Sequence, residues 1–184
     1  MNQQPDAAST GPSTTTRRRR WGWTTAVLAT AAVATAACSS SSSSTTPPPN
    51  PATAQSDIGV VYGTLFNLAS KNASKMEASI QGGSALTTAI NEALSSPLST
   101  SATGATVTSA TILSSSDCQA AKVPSPCAKV TYSILGPGGQ VLLPNSTGYA
   151  AYVNGHWLVA KVTICGLFEL LYQTENKTGT PPGC

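Results

Sequence analysis

The side chains of this sequence best suited to covalent, metal or acid–base chemistry are one histidine, five cysteines and a few scattered carboxylates. A serine, threonine or cysteine nucleophile needs a neighbouring base, so a triad of the usual kind would depend entirely on His156. That histidine directly follows Asn154 and Gly155, a turn sequence that favours a solvated side chain. No cysteine pair has the CxxC or zinc-finger spacing typical of redox and zinc sites. We therefore expect no catalytic residue, no metal and no cofactor.

The carboxylates do not suggest a paired acid and base. Glu77, Glu92 and Glu169 fall in three separate amphipathic segments, where exposed helix positions are the commoner outcome. The glycine-rich stretch GPGGQ, residues 136–140, joins two predicted strands and does not open a helix, so it predicts a turn rather than a phosphate-binding loop. We predict that the protein is not an enzyme, and the alternative is an enzyme that uses a cavity of its fold.

Cys38 stands at the end of a segment that is typical of an export signal. Four arginines, residues 17–20, precede an apolar run rich in alanine and threonine, and small residues lead to the cysteine. The sequence TAAC resembles a bacterial lipobox, in which the cysteine is acylated on sulfur and becomes the new N-terminus. Thr35 departs from that pattern, which prefers an aliphatic residue there. Lipidation of Cys38 is the prediction, with a plain cleaved signal or an uncleaved membrane anchor as alternatives, and Sec or twin-arginine export both remain open.

The other four cysteines form an even set that can pair in an oxidising compartment. Cys118 and Cys127 bracket a short segment between two predicted strands, so a bond between them would staple that connection. Cys165 is expected at the end of the last strand and Cys184 is the final residue, so their bond would hold the tail against the domain. Three connectivities are possible, and all of them are interpreted as structural staples.

The charge of the chain argues against nucleic-acid binding. Its formal charge of +3 comes entirely from the first twenty residues, where four arginines stand against Asp6. Lysines and carboxylates balance in the remainder, so no basic stripe is available to neutralise a run of phosphates. The basic pI therefore reports only the leader segment.

The sequence pattern predicts a tether, then three helices, and then strands, and these elements must position the residues described above. Residues 38–55 are rich in serine, threonine and proline and predict a disordered tether. Residues 56–70 predict an amphipathic helix behind a Ser56–Asp57 cap, followed by a short helix closed by Gly82–Gly83 and a third that begins at Ser84 and stops at Pro97. From residue 105 onward the pattern changes to strands.

The clearest local signal is the stretch YAAYVNGHWLVAKVTI, two apolar runs joined by Asn154–Gly155. This turn favours a tight hairpin in which Val153 faces His156 and Tyr152 faces Trp157. Tyr152, Trp157 and Val159 then share one face of the sheet, while the opposite face carries Leu158, Ala160 and Val162. A core aromatic pair is the ordinary interpretation, and our hypothesis is that this aromatic face instead meets a ligand or partner.

Two segments, LFNLASKNASKMEASIQGG and AKVTYSILGPGGQVLLPNSTGYAAYVNGHWLVAKVTICGLFELL, together resemble the C-terminal domain of the low-molecular-weight secreted antigens of mycobacteria. The similarity covers about residues 56–172 and rests on the helix closed by two glycines, the AxV strand and the NGxWxL hairpin. It implies an α+β, cone-shaped fold of the nuclear transport factor 2-like kind, with N-terminal helices packed on a curved antiparallel sheet. Tyr62, Phe66 and Leu158 are then expected to line a cavity. The family offers no established catalytic residues.

These observations predict a signal over 1–37, a tether over 38–55, an α+β domain over 56–172 and a tail over 173–184 tied by a disulfide. The expected function is that of a non-enzymatic, exported cell-envelope lipoprotein of an actinobacterium. It would lie on the outer face of the membrane or in the cell wall, and bind a small apolar ligand, a protein partner or a second copy of itself. The alternative is an accessory scaffold of an envelope transport complex with an uncleaved anchor.

Overall fold

The computed structural model describes residues 47–184. The predicted signal, Cys38 and most of the predicted tether lie outside the described residues. Within residues 47–184, no helix combines the length and the apolar character needed to cross a membrane. The described part of the chain contains five α-helices and four strands, in the order α1 (Pro51–Leu65), α2 (Ala73–Ala78), α3 (Thr87–Ser95), β1 (Gly104–Ile112), α4 (Ser115–Ala120), β2 (Cys127–Leu135), β3 (Val141–Val153), β4 (His156–Val159) and α5 (Lys161–Thr174).

Helix α1 begins five residues before the predicted start and takes in 51–55, which the sequence analysis gave to the tether. The Asn50 side chain accepts a hydrogen bond from the Ala52 N–H at 3.0 Å, and Pro51 occupies the first helical position. This pair forms a stronger start than Ser56–Asp57, because asparagine caps the free N–H groups and proline has the helical φ already. The helix stops at Leu65, and residues 68–70 form a separate 3-10 turn.

The next two helices lie where the sequence predicts them. Asn72 caps α2 by accepting from the Lys75 N–H at 3.0 Å, and Gly82 ends the segment with a positive φ of 67°. A 3-10 turn over 83–86 precedes α3, so the third helix starts three residues later than Ser84. The first three helices bury one apolar stripe each, and these stripes form one side of the main core.

The four strands form one curled antiparallel sheet in the order β1-β2-β3-β4, and with the helices they make the α+β class that the sequence predicts. The Asn154–Gly155 turn joins β3 to β4, and the predicted register is confirmed from Val153–His156 to Ala150–Val159. The face that carries Val130, Tyr132 and Trp157 packs against the helices and completes the core.

The end of the predicted last strand is wrong. Strand β4 stops at Val159, and residues 161–174 form helix α5, so Val162 and Cys165 are helical rather than extended. The β-branched run Val162–Ile164 favours a strand locally. The helix wins because Ile164, Phe168 and Tyr172 recur every four residues and bury one stripe against the sheet and α3.

The free side of β4 is covered by the chain, whereas the part of β3 that extends beyond β4 is not covered by a strand of the described chain on that side. Strand β4 is covered by the end of α2, where Gln81 N–H donates to the Val159 carbonyl at 2.9 Å and Val159 N–H donates to Ser79. Residues 141–148 of β3 pair with β2 on one side, but β4 pairs only with 150–153, so within the described part of the chain no strand lies on their other side. Pro144 and Asn145, the latter with a φ of 49°, interrupt that uncovered edge.

Two disulfides stabilise the convex side and the C-terminal tail. Cys118 and Cys127 join α4 to the start of β2 and lie in a small second core with Val123, Ala151 and Ala160. A second bond joins Cys165 in α5 to Cys184, with the two Cα atoms 5.5 Å apart. Of the three possible connectivities, this one joins the neighbours in sequence. The tail therefore returns to the domain instead of projecting from it.

Candidate functional site

A cavity of about 290 Å³ lies under α5, at the end of the sheet where β3 begins. Its walls come from the end of α1, from α2, α3 and α5, and from β2 and β3. The lining residues are Leu65, Phe66, Leu68, Met76, Ala93, Ser96, Ser101, Ala102, Ile134, Leu142, Leu143, Ile164, Leu167, Phe168, Leu170, Leu171 and Thr174.

The lining of this cavity is almost wholly apolar. Among the described residues that form it, no side chain is charged. Two of its few hydroxyl groups are already engaged with the backbone, because Ser96 Oγ donates to the Ala93 carbonyl and Thr174 Oγ1 to the Leu171 carbonyl, both at 2.7 Å. The cavity thus offers a bound molecule dispersion and removal from water, with little hydrogen bonding.

Helix α5 forms the roof of the cavity and is fixed at both ends. At its first turn, Thr163 Oγ1 accepts a hydrogen bond from the Tyr149 N–H at 2.7 Å. At its last turn, Tyr172 Oη donates to Glu92 Oε2 on α3 at 2.6 Å, and this bond raises the pKa of Tyr172. The roof therefore depends on two polar contacts as well as on its buried stripe.

The C-terminal tail holds the same roof from outside. Lys177 Nζ lies 2.9 Å from Glu175 and 3.5 Å from Glu92, and its pKa is raised chiefly by the hydrogen bond with Glu175. Pro181 is buried, and Cys184 is bonded to Cys165 in the middle of α5. This places a covalent link directly on the helix that covers the cavity.

An aromatic cluster forms the back of the cavity. The rings of Phe66 and Tyr132 stack with centroids 5.4 Å apart, and Tyr62 packs on Tyr132 at 4.9 Å. Tyr62 Oη donates to the Tyr149 carbonyl at 3.0 Å. Burial raises the pKa of Tyr132 to about 12, and burial with the neighbouring phenol raises the pKa of Tyr62 further, because a phenolate would lose its hydration. Of the predicted cavity residues, Phe66 lines it, while Tyr62 lies behind and Leu158 lies outside it.

The mouth of the cavity exposes large apolar side chains to solvent. Leu142 and Leu143 from β3 and Leu170 from α5 line the cavity and remain 39%, 36% and 51% exposed. Val141, one residue before them in β3, is 54% exposed. We call these four residues the leucine mouth. Apolar exposure of this kind, concentrated at an opening, is typical of a binding site rather than of an ordinary surface.

The predicted aromatic surface lies in the core instead. Trp157 is only 5% exposed, Val159 is fully buried, and both face the helices. Tyr152 is half-buried with its ring centroid 5.1 Å from that of Trp157. The face that our hypothesis assigned to a ligand or partner is therefore covered by the protein's own helices, because the start of α1 extends over it, and the burial fits the ordinary interpretation of a core aromatic pair.

A wider groove of about 530 Å³ runs outside this aromatic pair and is lined by polar residues including Asn50, Asp57, Ser79 and His156. Asn50 is occupied as the cap of α1, and Ser79 Oγ donates to the Lys75 carbonyl at 2.8 Å. Asn50 and Ser79 thus complete local structure, and Asp57 and His156 are the ionisable side chains that line the groove. The cavity under α5 is more enclosed and more apolar than this groove. We therefore regard the apolar cavity as the better candidate.

The structure brings no acid–base set together at the cavity. His156 is exposed beside the hairpin turn, and Glu92 is engaged with Tyr172 and Lys177. Glu77 and Glu169 belong to different helices, α2 and α5. Within the described residues, no three histidine, cysteine or carboxylate side chains are grouped so that they could hold a metal ion.

Comparison with known proteins adds no further assignment. Neither the protein-family models, nor the curated proteins, nor the solved structures gave a match to this chain. The interpretation of the cavity therefore depends on its own residues and geometry.

Sequence reasoning missed most of the cavity. Leu142 and Leu143 stand in the run VLLP, and this apolar run directly before a proline was the available signal. Leu167, Leu170 and Leu171 were not named as cavity residues, although their segment was predicted to lie in the domain and Glu169 among them to belong to an amphipathic segment. Their spacing of three and four residues is the helical signal that a longer window would have detected.

Proposed function

We propose that this protein is a non-enzymatic, exported cell-envelope lipoprotein of an actinobacterium, whose domain binds a small apolar ligand. The observation that carries the proposal is the uncharged cavity under α5, with its exposed leucine mouth. A site that binds an apolar molecule needs enclosure and apolar walls, and both are present. An enzyme would need polar groups that converge inside the cavity, and its hydroxyl groups are largely engaged with the backbone.

Export is supported by two independent features of the chain. The segment before Cys38 has the order of an export signal, with basic, apolar and small residues in turn. The two disulfides are consistent with an oxidising compartment outside the cell. Acylation of Cys38 would keep the domain at the outer face of the membrane.

The arrangement of helices inside a curled sheet supports a cone of the nuclear transport factor 2-like kind. That is the fold implied by the resemblance to the mycobacterial low-molecular-weight antigens. In such a cone the wide end is the natural place for a ligand, and the cavity under α5 would correspond to it. Fold analogy alone does not assign a function, so the chemistry of the cavity carries the proposal.

The size of the cavity limits the ligand. Liquid water occupies about 30 Å³ per molecule, so the cavity holds roughly ten groups of water or methylene size. Each methylene group transferred from water to apolar surroundings contributes about 0.8 kcal/mol, or about fourfold in affinity. Affinity should therefore rise with chain length and then level off near ten carbons.

Calorimetric titration of the full-length chain with straight-chain alcohols, from hexanol to tetradecanol, tests this expectation. Affinity should increase about fourfold per carbon up to decanol and change little beyond it. Leu171→Trp fills the cavity from a half-buried position of α5 and should weaken decanol binding about tenfold. Val162→Trp adds the same ring to an exposed position of the same helix, outside the cavity, and should leave binding unchanged. Absence of chain-length dependence, or equal effects of the two variants, would contradict the proposal.

A further inference from the structure

We propose that the cavity takes one alkyl chain of a membrane lipid directly from a bilayer, with the leucine mouth inserted into the membrane surface. This inference rests on the proposed function and adds to it the ligand class and the loading route. Its failure can be distinguished, because binding of soluble alcohols does not require a membrane.

The first argument is the position of the exposed apolar side chains. Among the described residues, six large apolar side chains are markedly exposed, and four of them form the leucine mouth. The other two, Val60 and Val162, are isolated on α1 and α5. Isolated apolar residues are normal on a protein surface, whereas a cluster around a cavity opening marks a docking surface.

The second argument is charge. The body of the domain is electrically neutral, since six lysines balance six carboxylates between residues 57 and 177. Among the described residues that line the cavity, none is charged. Binding to an anionic partner or membrane through basic residues draws on an excess of lysine and arginine, and residues 57–177 have no such excess. Contact with the hydrocarbon edge of a bilayer requires only the apolar side chains that are present.

The third argument is the reach of the tether. Asn50 lies twelve positions after Cys38, and an extended chain of that length spans about 40 Å. Helix α1 has fifteen residues and is about 22 Å long, and its last residue, Leu65, lines the cavity. A domain anchored at Cys38 can therefore turn its mouth toward the membrane that holds it. The anchor and the mouth together supply the two weak attachments that lasting membrane contact needs.

The cavity volume sets the number of chains. A space for roughly ten methylene-sized groups accommodates much of one alkyl chain and excludes a second one. The polar head of the lipid would then remain at the mouth, in contact with water. The inferred complex is thus one lipid per protein, with one chain inside and the head outside.

The test uses the full-length chain and neutral phosphatidylcholine vesicles that contain a self-quenched, headgroup-labelled phosphatidylethanolamine. Uptake of the labelled lipid by the protein should raise fluorescence. Val141→Asp places a charge in the leucine mouth without changing a residue that lines the cavity, and should slow uptake about tenfold by removing one inserted side chain. Val60→Asp is the matched control, because Val60 is still more exposed, at 70%, and lies on α1 away from the cavity. All variants carry the same first 46 residues, so any membrane binding by that segment cancels.

The expected result is slow uptake by Val141→Asp alone, unchanged decanol affinity in both variants, and rates that do not depend on salt or on added phosphatidylglycerol. Equal rates for the two variants would overturn the inference. So would a parallel loss of decanol affinity in Val141→Asp, since Val141 would then act on the cavity rather than on the membrane. Decanol binding without any lipid uptake would overturn this inference and leave the proposed function standing. A dimer in sedimentation that Val141→Asp dissociates would assign the mouth to a second copy and overturn it too.

Discussion

Apolar side chains are buried at one end of the concave sheet face and exposed to water at the other. At the closed end, Tyr152, Trp157 and Val159 lie beneath α1 and the segment after α2. At the open end, the leucine mouth stays in contact with water although α5 covers the cavity behind it. The closed end has the aromatic residues that a binding site often uses, yet the open end has the accessible space. Coverage by neighbouring segments, more than residue type, therefore separates core from candidate site.

Helices α1 and α5, which cover the two ends, are held in place by different kinds of contact. Helix α1 has a defined start at Asn50 and Pro51 and extends along the sheet to the edge of the cavity. Helix α5 has no side-chain cap at Ala160 and is held by Thr163, Tyr172 and the disulfide at Cys165. The closed end is thus held by its own packing, and the open end by a few contacts that can be removed individually.

Truncation of one side chain at each end tests whether the closed end is more deeply buried than the open end. Trp157→Ala should lower the free energy of unfolding by about 3–5 kcal/mol, because it opens a cavity in the core. Leu170→Ala at the open end should cost less than about 1 kcal/mol, since the leucine is half exposed. Urea unfolding monitored by circular dichroism measures both. Similar losses would show that the two ends are equally buried in solution.

Removal of the second disulfide tests whether the C-terminal tail holds α5 over the cavity at the open end. The Cys165→Ser/Cys184→Ser variant frees a loop of 19 residues and should lose about 3 kcal/mol by the loop-entropy relation. The matched Cys118→Ser/Cys127→Ser variant, with a separation of nine, should lose about 2.5 kcal/mol. Only the first should accelerate hydrogen exchange in α5. Equal exchange in both would mean that the tail does not hold the roof.

The stability of the protein at alkaline pH reports on the buried tyrosines behind the cavity. Tyr62 and Tyr132 have raised pKa values in the folded state, so their contribution is complete below pH 10 and is lost as the pH rises above it. At pH 11 the loss should be about 1 kcal/mol per tyrosine. The free energy of unfolding should therefore fall less between pH 8 and pH 11 in the Tyr62→Phe/Tyr132→Phe variant than in the unmodified protein, by about 2 kcal/mol. No change would indicate that water from the cavity reaches both phenols.

The smallest expected effect concerns the first turn of α5. Thr163→Val keeps the shape of the side chain but leaves the Tyr149 N–H without its acceptor, at a cost of about 1–2 kcal/mol. Thr174→Val in the same helix should cost less than about 0.5 kcal/mol, because its hydroxyl is exposed and bonds only within the helix. Thermal unfolding of both variants provides the measurement. Equal stabilities would remove Thr163 from the contacts that fix the roof.

The parts of the fold that the sequence predicts correctly are those determined by local chemistry. The hairpin register follows from Asn154 and Gly155 alone, because both adopt the positive φ that the tight turn needs. The change from helices to antiparallel strands after residue 104 follows from the alternating pattern of segments such as AKVTYSILG. The starts of α1 and α5 were missed because each depends on a competition between two local signals.

The candidate site could not be predicted to the same extent. Its walls come from residues more than one hundred positions apart, such as Leu65 and Leu171, which only the tertiary fold brings together. Phe66 was predicted through the resemblance, and the leucine mouth was not. For Trp157 the sequence left a core position and a binding surface open, because it does not reveal that α1 extends far enough to cover this side chain.

The interruption of β3 by Pro144 and Asn145 has a consequence for how the protein behaves when crowded. The uncovered edge beside VLL would otherwise be a flat apolar template onto which another molecule could add a strand and begin aggregation. Proline lacks the N–H that such pairing needs, and the left-handed backbone of Asn145 bends the edge out of register. These two residues fit the pattern of gatekeepers, so we expect the molecule to display leucines at its open end without adding strands edge to edge.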